Sequence, residues 1–182
     1  MSSFESSEHH IKNGQHLVVR EAASSDASHL LVYVEAVSSE SDFLTFGTGE
    51  FELSTEEEEN YLRKCHQSDN ILYIISLVGD DIVSALNFAG GHRSRVRHSG
   101  EFCMSVRKDY WGLGVGSKML DALIQWAREG QIITKINLYV WTDNARAIRL
   151  YEANGFVREG TITKAIFLDG QSHDHFWMGL EL

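Results

Sequence analysis

The chain has 182 residues, 43% of them apolar, a formal net charge of −10 and two cysteines. It is the size of one domain with enough apolar residues for a core, too acidic to suit a nucleic-acid partner, and too poor in cysteine for a disulfide framework. No apolar stretch approaches bilayer length and residues 1–15 lack a signal-peptide layout, so a reduced, cytoplasmic protein with no membrane association is expected.

Residues 1–15 are polar and read as a flexible arm, leaving 16–182 as a single domain. His9 and His10 have no neighbours that would complete a ligand set, so no metal is expected. Residues 17–20 read as a first strand. Asp26 is placed as an N-cap before Leu30, Leu31, Val34 and Val37, which recur at helical spacing. Residues 38–53 mix aromatics, glycines and acids without a period. Ser54 or Thr55 then caps a second helix, with Glu57 or Glu58 as capping-box partner. The acid run 56–59 suits the positive end of that helix dipole, with cation binding as the other reading. Residues 71–78 and 82–88 are apolar runs separated by a Gly-Asp-Asp turn, a hairpin. The basic link 90–98 reads as a solvated loop. The run 101–106 is a strand, with Glu101, Cys103 and Ser105 on one face and Phe102, Met104 and Val106 on the other, if no bulge intervenes. Cys103 is expected to be buried and inert.

A glycine loop follows. Gly112, Gly114 and Gly116 precede Met119, Leu120, Leu123, Ile124 and Ala127, spaced as a helix. Strand, glycine loop and helix leave amide N–H groups free at a helix start, where they attract phosphate. A P-loop is excluded because Ser117 puts Lys118 out of register, and a dinucleotide fingerprint because the spacing is G-x-G-x-G. The pyrophosphate of coenzyme A remains, beside a glycine turn without ligand. Residues 135–140 form the next strand, and 141–144 the turn into a helix on which Asn144, Ala147, Ile148 and Tyr151 share a face. Asn154-Gly155 stops that helix. Residues 156–167 and 176–180 are closing strands. His173 and His175 read as a polar strand start rather than a metal pair.

The segment from Gly114 to Gly116, with Asn144, Ala147, Leu150, Tyr151, Gly155 and Phe156, resembles the two signatures of the GCN5-related N-acetyltransferase (GNAT) superfamily. Trp111 departs from the pattern, standing where the family has Gln or Arg. The resemblance implies a mixed, mostly antiparallel sheet of six or seven strands. Two central strands splay into a V, and about four helices flank the sheet. It implies acetyl-CoA as co-substrate and no metal. The cofactor would lie along Met104, Ser105 and Val106. Its pyrophosphate would lie on the loop Trp111, Gly112, Leu113, Gly114, Val115, Gly116 and Ser117, Asn144 would hydrogen-bond the pantetheine amide or help fix its helix, and Ala147 would also contact the cofactor. Tyr151 would be the general acid. Glu101 is a candidate base if burial raises its pKa, with a water relay to Glu50 or no dedicated base as alternatives. Phe43, Phe46, Glu50 and Phe51 would border the acceptor pocket. The acceptor would be a primary amine, on a small molecule or a protein N-terminus, and a homodimer could form through the final strands. The competing reading is a non-catalytic acyl-CoA-binding regulatory module.

Overall fold

A computed structural model describes residues 4–182. The apolar run at 71–78 and its partner form strands β3 (Ile71–Val78) and β4 (Asp81–Gly90), joined at Gly79, whose φ of +62° suits a residue without Cβ. β4 continues antiparallel onto β5 (Ser99–Val106) in one unbroken register from Ser84↔Val106 to Gly90↔Gly100. No bulge interrupts it, so the faces expected from strict alternation hold.

Among the described residues the sheet has eight strands, not six or seven. The additional strand comes from the arm expected over residues 1–15. β1 (Ser7–His10) pairs antiparallel with β2 (His16–Glu21), which pairs with β3. The charged sequence Ser-Glu-His-His hides this strand, because it lies at a sheet edge with alternate residues facing solvent. On the far side come β6 (Lys135–Trp141), β8 (Gln171–Glu181) and β7 (Val157–Leu168), in that spatial order. β7 and β8 form a hairpin through Asp169 and Gly170, both at positive φ. β8 begins five residues earlier than the apolar pattern, because Gln171, Ser172 and His173 pair with Leu168, Phe167 and Ile166.

The sheet separates two layers. On one face, Leu72, Ile74, Leu86, Phe88 and Phe102 pack against Met119, Leu120 and Leu123 of α3 (Val115–Gly130), with Ile148 and Tyr151 of α4 (Ala145–Ala153). On the other, Tyr73, Ile75 and Ala85 meet Leu30, Val34 and Val37 of α1 (Ala27–Ser38) and Leu62 and Cys65 of α2 (Thr55–Gln67). Ser54 caps α2 as expected, its Oγ accepting from Glu57 N–H at 3.2 Å while Glu57 accepts from Ser54 N–H at 2.9 Å. Asp26 stands at the N-cap of α1 but does not cap it with its side chain. Its carboxylate instead accepts from the Arg20 guanidinium at 2.7 and 2.8 Å and from Ala23 N–H at 2.8 Å, tying the helix start to β2. No helix among the described residues is long and apolar enough to cross a membrane.

Candidate active site

β5 and β6 are parallel neighbours for only three residue pairs, Ser99↔Lys135 to Glu101↔Asn137, and then part. Arg107 N–H bonds Val83 C=O at 2.9 Å across to β4, while Gly100 C=O accepts from Asn137 Nδ2 at 3.2 Å toward β6. With a period of two, the main-chain groups of Phe102, Met104 and Val106 therefore aim at the side that β6 has left. The splay leaves this part of β5 as an open strand edge inside the molecule.

The glycine loop stands at the mouth of that opening. Gly112 and Gly114 have φ of +75° and +98°, and Gly114 is the N-cap of α3. The first α-helical bond runs from Lys118 N–H to Gly114 C=O at 3.2 Å, so the amides of Val115, Gly116 and Ser117 have no intrahelical acceptor. At Gly116 a Cβ would lie 3.0 Å from Leu150 Cδ2, so this glycine lets α4 approach α3. Lys12, from the expected arm, is anchored here: its N–H donates to Leu113 C=O at 3.1 Å. Two cations thus border the mouth, Lys12 and Arg146, the latter with its guanidinium carbon 3.5 Å above the Trp111 ring. Trp111 has its own use for the position: its indole N–H donates to Val106 C=O at 2.7 Å.

A cavity of about 840 Å³ runs from this mouth through the splay to the α1–α2 face. Met104, Ser105, Val106, Trp111, Gly112, Gly114, Val115, Gly116, Ser117, Asn144 and Ala147 all line it, as do Tyr151 and Glu101. Leu113 does not. Its half-buried side chain packs against the core beneath α3, and only its main chain belongs to the loop. Asn144 caps α4, its Oδ1 accepting from Ala147 N–H at 3.1 Å. Tyr151 is buried in a cluster with Phe102 and Phe156, ring centroids 5.8 and 5.9 Å away. Burial pushes its pKa above that of an ordinary phenol, so the hydroxyl stays protonated.

Three carboxyl and thiol expectations change. Glu101 is exposed, so the burial that would have tuned it as a base is absent. Glu50 turns back on its own loop, accepting from Gly47 N–H at 2.7 Å, while Phe43, Phe46 and Phe51 line the cavity. Cys103 is not in the core but opens onto the cavity, where close walls still raise its thiol pKa by desolvation.

The buried acid is Glu58, 3% exposed, which borders the cavity beside Tyr61 and Tyr73. Burial alone raises its pKa. Its signal in the sequence was position, not type. Glu58, Leu62 and Cys65 sit at i, i+4 and i+7, so this acid lies on the buried stripe of α2. Other groups came from segments that no local pattern joins. Tyr33 of α1 donates to Ser105 C=O at 2.8 Å, and Tyr61 donates to Asn87 Oδ1 at 3.0 Å. Asn87 Nδ2, Trp141 Nε1 and His175 Nε2 are buried without a partner among the described residues.

The comparisons agree with this architecture. Residues 36–156 match the family model for the acetyltransferase (GNAT) family. An acetyltransferase of the GNAT family from Streptococcus pneumoniae superimposes with a TM-score of 0.89 at 34% identity, covering 91% of this chain and 99% of that one. The L-amino acid N-acetyltransferase AaaT of Escherichia coli K12 is 29% identical over 108 residues, 59% of this chain and 67% of the relative. The structure of yncA from Salmonella typhimurium with its cofactor acetyl-CoA shares the fold, with a TM-score of 0.78 at 18% identity over 91% of this chain and 93% of that one. The chain belongs to the GNAT family of acetyltransferases.

Proposed function

We propose that this protein is an acetyl-CoA-dependent N-acetyltransferase that passes an acetyl group to a primary amine by direct attack, with both substrates bound together. One observation carries the reading: the open edge of β5, a loop of unused amides and Tyr151 all line a single cavity. The amides of Gly112, Gly114, Val115, Gly116 and Ser117 would hold a pyrophosphate, aided by the dipole of α3 and by Lys12 and Arg146. The edge at Met104 and Val106 offers main-chain bonds to an extended amide chain, as a further strand would. A main-chain N–H there would polarise the thioester carbonyl and stabilise the oxyanion, a contribution of about 3–4 kcal/mol per donor. Trp111 already occupies one lone pair of the Val106 carbonyl and leaves the other available. The neutral amine forms a C–N bond to the carbonyl carbon as the C–S bond breaks; Tyr151 gives its proton to the departing thiolate, and the proton shed by the amine nitrogen restores the phenol through solvent. An acidic chain with two thiols suits a cytoplasmic enzyme.

Thiol release from acetyl-CoA, screened over amino acids, polyamines, arylalkylamines and peptides, tests the reading. Amine-dependent release is expected. Acetyl-CoA binding without release across the whole screen would instead mark a regulatory binding module. Tyr151→Phe should lower turnover at least about tenfold with acetyl-CoA affinity unchanged, the scale of a lost general acid. Unaltered turnover would remove Tyr151 from that role.

A further inference from the structure

The cavity is asymmetric in charge. Its cations, Lys12 and Arg146, both lie at the glycine-loop mouth. Beyond the splay, on the α1–α2 face, its charged side chains are Glu58 and Glu101. The His175 ring is held toward its neutral form by burial. The remaining wall there is broad and apolar: Tyr33, Val37, Phe43, Phe46, Phe51 and Trp141. Phe43 stands edge-on to Trp141 at 5.6 Å, and Phe46 lies 5.1 Å from Phe51.

Glu58 is the odd member of this wall. It is 3% exposed, and no cation or hydrogen-bond donor among the described residues pairs with it. The groups whose charges couple to it are Tyr73 on β3 and Cys65 on its own helix, neither of them cationic. A buried carboxylate without a partner is costly, and a cation entering the cavity would remove the cost. Glu58 also lies at the right end of the site. Tyr73, Asn87 and Cys103 are register partners across β3, β4 and β5, a row ending at the splay. Adjacent strands are about 4.8 Å apart, so the row spans about 10 Å. An amine in this row lies between the carboxylate and the open edge of β5.

Resting on the acetyltransferase reading, we infer that the acceptor is a primary amine on an aromatic or apolar body without a carboxylate, and that Glu58 receives the positive charge of its ammonium form, whose proton leaves to solvent before the neutral amine attacks. An α-amino acid would bring its carboxylate into an end of the cavity that holds two acids and no cation. A polyamine would press additional ammonium groups against an apolar wall and leave that wall unfilled.

The test compares 2-phenylethylamine, L-phenylalanine and spermidine in the thiol-release assay with the intact chain. The first two differ only by the carboxylate. We expect kcat/KM for 2-phenylethylamine to exceed that for L-phenylalanine by at least about 100-fold, the scale of discrimination against an unpaired buried charge. It should exceed that for spermidine by about tenfold or more. Glu58→Gln should raise KM for 2-phenylethylamine about tenfold, the loss of one charge-assisted contact, with acetyl-CoA affinity unchanged. Preference for L-phenylalanine or spermidine would overturn the inference while leaving acetyl transfer itself intact. An unaltered KM in Glu58→Gln would overturn the assignment of Glu58. The wild-type comparison decides the acceptor class even if that variant fails to fold.

Discussion

The two ends of the cavity are built by different means. At the mouth, main-chain groups of one short loop, from Trp111 to Ser117 with Leu113 turned to the core, border the cavity. Beyond the splay, side chains do the work, and they arrive from α1, the 39–54 segment, α2, β3, β4, β6 and β8. A main-chain site tolerates exchange of the side chains between its glycines. A side-chain site changes its ligand with every substitution. One family can thus keep a single donor site while its acceptors diverge.

The largest effect that would sharpen this contrast is expected at the loop. Gly114→Asp places a Cβ at φ +98° and a carboxylate among the amides. Acetyl-CoA affinity by calorimetry should fall about 100-fold, near 3 kcal/mol, from strain and lost phosphate attraction. Intact affinity would break the comparison at its root.

Asp26→Asn probes the acceptor half. The carboxylate's pKa is lowered, first by its hydrogen bonds from Arg20 and also by the Ala23 amide, against the opposing effect of burial. Its contribution is therefore complete above the unfolded-state pKa and is lost as pH falls through the lowered folded-state value. Denaturant unfolding at pH 7 should show a loss of about 2 kcal/mol, since the pair is only partly buried. The gap between variant and wild type should close as pH drops below about 4. A gap that persists in acid would remove the ion pair as its cause.

Smaller losses are expected at two caps. Asn144→Ala should cost about 1 kcal/mol by thermal unfolding, because Ala147 N–H loses its acceptor. Asn144 also lines the cavity, so acetyl-CoA affinity should weaken with it. Ser54→Ala should cost a similar amount, about 1 kcal/mol or less, with both substrate KM values unchanged. Its cap is exposed and outside the cavity lining. A change in either KM would mean that α2 positions the acceptor site through its first turn.

The glycine loop, the Ser54 cap, the 71–90 hairpin and the helix stop at Gly155 were legible in the chain, because each is set by neighbours within a few positions. Strict alternation on β5 was legible too, given the register without a bulge. Asp26 stands at the expected N-cap, but the partner of its carboxylate was not legible, because Arg20 lies on the preceding strand outside the local helical pattern. β1 was missed because an edge strand with one solvated face has no apolar run. Glu101 was a candidate base on condition of burial, and that condition was not legible locally, because the strand opens where it stands, at the last paired position before the splay.

By itself the sequence determined the proposed donor site, since amides freed by glycines at a helix start need only contiguous residues. Only the tertiary structure decided the proposed acceptor site. Parting β5 from β6 joins both faces of the sheet in one cavity. That cavity borders Glu58, one acid in a run of four, which is buried without a side-chain partner among the described residues.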